Sequence, residues 1–443
     1  MSSENPSPSS RVPATLRALR HRNFQLFFGG QLISLIGTWM QSIAEAWLVY
    51  RLTGSSVLLG TISFANQIPV FLVAPLGGIV ADRWSRRKIV IGTQAASMLL
   101  ALTLSLLTLT GMIRVWHLFV LTALLGVVNS FDIPARQAFL SDMVGREDLM
   151  NAIALNSSMF NSARIVGPAV AGILVANIGE GWCFFANGVS YIAVIAGLLM
   201  MDVRRHIPVG SNGSMIAHVV EGFRFVIHNL PIHALLILLG ILSLTGMPFA
   251  VLMPIFADQI LHGGARGLGL LMGASGIGAL CGALTLATRQ SVRGLSRWVA
   301  MSAGAFGATL AVFALSRSFW FSCAVLIPVG FAMMIEMGSS NTLIQSMSPD
   351  HLRGRVMSVY SMMFMGMSPI GALLSGICAE KFGAPLTVAA GGVICIVAAT
   401  VFGLNLPALR ISARRLIVAQ QLAGGDPPQE IVTAGIPVPP AKE

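Results

Sequence analysis

Charge is what this chain has least of. Only 10% of its 443 residues are Asp, Glu, Lys or Arg, while 55% are hydrophobic; an ordinary soluble chain is about 25% charged. Charge this sparse cannot cover the surface of a soluble body this large. Lysine occurs at Lys88, Lys381 and Lys442 alone, so no GxxxxGK[ST] phosphate-binding loop exists and an ATP-driven pump is excluded. The five cysteines, Cys183, Cys281, Cys323, Cys378 and Cys395, form no CxxC pair. They read as small hydrophobes within packed helices rather than as metal ligands or a disulfide framework. No His pair at HxxxH or HExxH spacing falls within an apolar run, and no metal site is expected.

What the chain has is hydrocarbon. "LFVLTALLGVV" (Leu118 to Val128), "ALLILLGILSL" (Ala234 to Leu244) and "VAAGGVICIVAATVFGLNL" (Val388 to Leu406) are three of many such runs. A membrane-crossing helix needs about 20 apolar residues, and barrel strands would alternate polar and apolar positions, which these runs do not. The fold class is therefore an all-α integral membrane protein. Twelve spans are expected at 24–49, 57–81, 89–110, 116–140, 151–178, 182–201, 233–256, 267–288, 298–315, 319–345, 355–379 and 384–406. The Ser/Pro-rich, basic segment 1–23 has no apolar stretch, so it reads as a tail rather than a signal peptide.

The net charge of +11 raises the question of nucleic acid, and its distribution answers it. With the N-terminus placed in the cytoplasm, 22 Lys and Arg fall in inner segments. Five fall in outer loops: Arg51, Arg114, Arg266, Arg317 and Lys381. This is the positive-inside bias of a membrane protein. It puts both termini in the cytoplasm and leaves no role for nucleic acid.

The chain also repeats itself. "VVNSFDIPARQAFLSDMV" (Val127 to Val144) has a partner 204 residues later in "FAMMIEMGSSNTLIQSMS" (Phe331 to Ser348), which sets Asp132 against Glu336. Pro168 likewise falls against Pro369. The expected organisation is an N-terminal tail (1–23), a six-helix half (24–202), a linker (203–232), a second six-helix half (233–406) and a disordered tail (407–443). The two halves are pseudo-symmetric. Within the linker, Ile216, Val219, Val220, Phe223 and Ile227 share one helical face, which suits a helix lying on the membrane.

Between the second and third runs stands "GGIVADRWSRRK" (Gly77 to Lys88), a knot of charge framed by hydrocarbon. The loop Gly78-x-x-x-Asp82-Arg83-x-x-Arg86-Arg87 resembles the signature of the major facilitator superfamily, with Ser85 where that pattern usually has Gly. The resemblance covers about 20–406. It implies a major facilitator fold, and a gate latch in which Asp82 faces the N-terminus of span 11 near Arg355 and Arg86 reaches an acid in span 4, for which Asp132 is available. "RIVGPAVAG" (Arg164 to Gly172) resembles the Gly-Pro motif of the superfamily's proton antiporters, with Gly167, Pro168 and Gly172 permitting a bend or a close helix contact. "RNFQLFFGGQLISLIGTWMQSIAEAWLVYRLTGSS" (Arg22 to Ser56) and "FDIPARQAFLSDMV" are similar to the branch containing enterobactin and macrolide exporters.

Ionisable groups inside spans are costly and mark ion or substrate pathways. There are four: Glu45, Asp132, Arg164 and Glu336. They are the candidates for proton coupling or for a buried charge pair, with Arg86 and Arg164 as possible partners of Asp132. In the superfamily, spans 1, 4, 7 and 10 line the cavity, which here nominates Gln31, Trp39, Gln41, Asn129, Phe131, Met247, Phe249, Met333 and Met337. The expected function is secondary active transport: proton-coupled efflux of small amphipathic molecules of the drug or siderophore class. An importer is the alternative within transport, and a non-transporting membrane protein or sensor the alternative outside it. Enzymatic chemistry is not expected, because the buried ionisable groups are too scattered to converge. The expected partners are substrate, protons and lipid, for a monomer in the cytoplasmic (inner) membrane. The proton gradient supplies the energy, with no cofactor.

Overall fold

The computed structural model describes residues 14–202, 215–289, 292 and 294–422. Among them no strand occurs, and twelve helices are long and apolar enough to cross a membrane. They are α1 (Arg22–Thr53), α2 (Ser56–Arg83), α3 (Arg86–Leu109), α4 (Val115–Gly145), α5 (Glu147–Ile178), α6 (Glu180–Met200), α7 (Leu230–Ile260), α8 (Gly264–Ala287), α9 (Leu295–Leu315), α10 (Phe319–Met347), α11 (Asp350–Phe382) and α12 (Ala384–Leu404). Each matches one expected span; eleven extend it by up to five residues at one end or both, while α12 ends two residues short of 406. The extension follows from lipid chemistry: hydropathy marks the hydrocarbon depth, while the backbone continues helical into the headgroup layer.

Local chemistry sets the ends. Gly54 (φ 62°) closes α1 in the left-handed region, with its N–H bonded to Tyr50 O at 2.7 Å. Gly145 (φ 71°) is the only non-helical residue between α4 and α5, a conformation that costs little without a Cβ.

The chain resolves into two compact units. The first comprises 1–211, 250–276 and 372–384; the second comprises 212–249, 277–371 and 385–443. They follow the two sequence halves except for two exchanged segments, 250–276 across the α7–α8 junction and 372–384 at the end of α11. The change at 249/250 falls where α7 breaks its own pattern. After an α-helical start, π turns at Leu242–Gly246 and Phe256–Ile260 flank a 3-10 turn at Met247–Ala250. Pro248 and Pro254 lack the N–H that a regular ladder needs, and such breaks in a membrane survive only inside protein.

Lipid offers no hydrophobic drive between helices, so close packing on small residues takes its place. In the first unit, a Cβ at Gly30 of α1 would lie 3.0 Å from Val194 Cα of α6, and one at Gly37 would lie 2.8 Å from Ser190 Oγ. The basic end of this unit holds an apolar core around Phe24, Phe27, Phe139, Met159 and Leu198. In the second unit, a Cβ at Gly307 of α9 would lie 2.9 Å from Cys395 Cβ and Ile396 Cγ1 of α12.

Two expectations need correction at the edges. Residues 14–20 of the N-terminal tail are docked: Ala18 N–H donates to Asn151 Oδ1 at 2.8 Å, and Arg17 and His21 lie 3.2 and 2.9 Å from Asp148. The disordered tail was expected to begin at 407, yet Leu406–Leu422 is helical; its Leu, Ala, Arg and Gln are good helix formers, and the Gly/Pro-rich composition starts only at 424. Residues 423–443, and 203–214 of the linker, lie outside the described residues. The linker helix spans Met215–His228. Val220 and Ile227 are exposed while Val226 and Gly222 turn inward, with a Cβ at Gly222 lying 2.7 Å from Arg355 O. That orientation leaves an apolar stripe facing out, as a membrane-lying helix requires.

Candidate functional site

The charged loop is a set of assigned bonds. Arg86, 15% exposed, places Nη1 at 2.9 Å from Asp142 Oδ1 and donates to Ala138 O at 3.1 Å. Its Nη2 stands 4.0 Å from Asp82. Arg87 donates to Leu198 O and Leu199 O at 2.8 and 2.9 Å, tying the loop to the end of α6. Asp82 and Arg83 are exposed, and Arg355 pairs with Glu221 of the linker helix. The acid for Arg86 is thus Asp142, not Asp132. Asp142 lies ten residues nearer the basic end of α4, about 15 Å at helical rise, which is the depth of the loop itself. Around Gly78 a Cβ would meet nothing within 4 Å, whereas one at Gly77 would lie 3.1 Å from Phe131 Cα. Gly77, which the signature does not single out, is one of the glycines that let α2 and α4 touch.

The buried charges separate into two kinds. Asp132, 6% exposed, accepts from Thr93 Oγ1 at 2.8 Å and from Gln94 Nε2 at 3.0 Å. Arg136 Nε, one turn along α4, approaches it to 3.2 Å. Neither Arg86 nor Arg164 is its partner. Arg164 is half-buried, and its side chain has no ion pair or hydrogen bond among the described residues. Glu336 occupies the related place in the repeat and is fully buried, yet Ser340 stands where Arg136 stands in the first half. Ser340 Oγ donates to Glu336 Oε1 at 2.9 Å, and Oε2 has no hydrogen-bond partner among the described residues. Glu45, 8% exposed, takes a hydrogen bond from Thr122 and has no ion pair among the described residues.

The bend motif works through contact. Gly167 lies against Trp39 and Ile36 of α1, and Gly172 packs on α8, where a Cβ would lie 3.0 Å from Gly269 Cα. Pro168 sits inside α5 between them.

The cavity candidates scatter. Gln31 is buried with Oε1 unpartnered among the described residues. Gln41 accepts from Asn187 Nδ2 at 2.7 Å and is held within the α1–α6 contact. Trp39 is half-buried and edge-on to Phe160, with centroids 5.6 Å apart. Asn129, Met247, Met333 and Met337 are half-buried. Phe249 is buried edge-on against Phe306 (6.5 Å), a packing role, and Phe131 lines a groove formed by α2, α3 and α4.

The sequence reading did not single out the polar contacts at the opposite end of the first unit. Arg51 makes a two-point contact with Glu180 (2.7 and 3.1 Å), and Tyr50 donates to Asp258 at 2.8 Å. Glu380 accepts from the N–H and hydroxyl of Ser56 at 3.1 and 2.8 Å, capping the start of α2 from α11.

Twelve apolar helices, an internal repeat, a bonded loop between α2 and α3, and carboxyls buried at membrane depth define a polytopic membrane transporter. The family model described as "Transmembrane secretion effector" matches residues 13–423, and the chain belongs to that family of the major facilitator superfamily. Similar proteins include the staphyloferrin A transporter of Staphylococcus aureus, 28% identical over 84% of this chain and 93% of its own length. The multidrug efflux pump Tap of Mycolicibacterium fortuitum is 28% identical over 84% and 90%, and the enterobactin exporter EntS of Citrobacter koseri 24% over 92% and 96%. Among solved structures, a mutant form of the nucleoside transporter NupG shares the fold, with a TM-score of 0.71 at 15% identity over 86% of this chain and 99% of that one.

Proposed function

We propose that this chain is a proton-coupled exporter of small amphipathic molecules, of the drug or siderophore class, working by alternating access in the cytoplasmic membrane with both termini in the cytoplasm. Relatives named as efflux pumps and siderophore transporters support the substrate class, and the charge bias supports the orientation.

The observation that carries proton coupling is the contrast between Asp132 and Glu336. The repeat puts an acid at both positions, but only Asp132 has a guanidinium at ion-pair distance. A carboxylate held by Arg136, Thr93 and Gln94 is a fixed structural charge. Glu336, buried with a hydrogen bond from Ser340 and with no counter-ion among the described residues, changes its charge by a proton gained or lost. Half-buried Met333 and Met337 flank it, and thioether side chains adapt to bulky apolar ligands. Glu336 is therefore assigned the coupling role, with Glu45 second.

Reconstituted protein and a panel of macrolides and siderophores provide the test. An imposed pH gradient should drive accumulation of at least one compound, and a protonophore should abolish it. Accumulation that persists after the gradient is collapsed would refute proton coupling.

A further inference from the structure

The five charges of the loop are not all used by the loop. Arg86 and Arg87 are bound to Asp142 and to carbonyls of α4 and α6. Arg83 and Lys88 are exposed and have no ion pair or hydrogen bond among the described residues. Both line a groove of about 690 Å³ between the ends of α2, α3 and α4. Ser85, the N-cap of α3, lines it too, and its side chain caps none of the free amides there. One end of the groove therefore carries two free cations and the positive end of a 24-residue helix.

The other end is hydrocarbon. From Lys88 to Ala96 the groove follows α3 for eight residues, about 12 Å at helical rise, and Ile89, Val127 and Phe131 form apolar walls. Gly92 stands exposed on that path, and a Cβ there would meet nothing within 4 Å. Trp84, 70% exposed, sits at the charged end, where an indole suits the headgroup layer.

We propose that this groove binds an anionic phospholipid, with its phosphate on Arg83, Lys88 and the α3 N-terminus and one acyl chain laid past Gly92 toward Phe131. The combination selects this occupant. A soluble anion would use the cations and leave the apolar length empty; a zwitterionic lipid would fill the length and bring no net charge to the cations. Bound lipid would also touch Thr93, which lines the groove and donates to Asp132, so occupancy bears on the structural charge of α4.

Native mass spectrometry of the purified full-length chain, titrated with phosphatidylglycerol and with phosphatidylcholine of the same acyl chains, tests this. Glycerol 3-phosphate serves as the headgroup without a tail. The wild type should bind phosphatidylglycerol at least tenfold more tightly than phosphatidylcholine, and glycerol 3-phosphate should not compete. R83Q/K88Q should lose the preference. Gly92→Leu, whose side chain enters open space, should weaken both lipids at least fivefold. Size-exclusion profiles and melting temperatures establish folding, with Lys88→Gln alone as the fallback for an unstable double variant. Equal wild-type affinity for the two lipids, or a preference that survives R83Q/K88Q, would overturn the proposal. So would a Gly92→Leu protein that binds both lipids as the wild type does, because the anion would then sit on the loop alone.

Discussion

Arg136→Gln is the substitution whose cost the structure bounds best. Asp132 is 6% exposed and Arg136 22%, so removing the guanidinium leaves a buried carboxylate with two neutral donors. Breaking a buried pair by deleting one partner costs about 3–5 kcal/mol. Thr93 and Gln94 remain and Arg136 is partly wet, which places the expectation at the lower edge, about 3 kcal/mol. For a cooperative unit of around 200 residues that is a fall of about 6–12 °C in melting temperature. Asp132→Asn should cost less, about 1–2 kcal/mol, because the amide oxygen still accepts from Thr93 and Gln94 while Arg136 can extend toward water. The double variant Asp132→Asn with Arg136→Gln should therefore be more stable than Arg136→Gln alone. Tryptophan-fluorescence melting of all four proteins in one detergent closes the cycle. An Arg136→Gln protein that melts within about 2 °C of wild type, equivalent to under 1 kcal/mol, would refute the assignment of Asp132 as a fixed, ion-paired charge. Strict additivity in the double variant would refute it equally.

Further expectations follow from the same geometry. Asp82→Asn should leave melting nearly unchanged, within about 0.5 kcal/mol for an exposed charge 4.0 Å from its nearest base, yet impair transport; normal transport would reduce the loop to a topology anchor. Arg86→Gln should cost about 1.5–3 kcal/mol through its lost charged hydrogen bonds, and Asp142→Asn should reproduce most of that loss by the same melting assay. Gly172→Leu should destabilise, because its Cβ alone would meet Gly269 Cα at 3.0 Å and α8 cannot yield without moving; an unshifted melting temperature would contradict the contact. Single cysteines at positions 51, 114, 266, 317 and 381 on a cysteine-free background should react with impermeant maleimide in intact cells. Labelling at 83–88 instead would invert the topology.

Much of the fold is legible in the sequence because a bilayer imposes one simple rule. Every backbone group must be satisfied within its own segment, so hydropathy alone locates the helices. Which side chains meet is harder, because helix rotation and depth are fixed by neighbours. Depth could have excluded Asp132 as the partner of Arg86, since ten residues of α4 separate it from Asp142. The Asp132–Arg136 pair is also legible, four apart on a helix, the spacing that brings acid and base together. The break in α7 is written in Gly246, Pro248 and Pro254. By contrast, nothing local marks Glu380 as the cap of α2, and the seating of Gly222 on Arg355, which turns Val226 inward, becomes readable only from the packing. The groove on α3 has a faint signal in Gly92 alone. The uncommitted charge of Arg83 and Lys88 emerges only after Arg86 and Arg87 have found their acceptors.

Glu336, buried with a hydroxyl where its repeat partner has a guanidinium, is the carboxyl proposed to carry the coupled proton. The direct measurement uses wild-type and Glu336→Gln proteins in proteoliposomes, with substrate counterflow at equal pH and accumulation under an imposed pH gradient read on the same preparation. Glu336→Gln removes no ion pair, so the protein should remain folded and exchange substrate at equal pH while failing to concentrate it under the gradient. Full gradient-driven accumulation by Glu336→Gln would contradict the account and move the coupling role to Glu45.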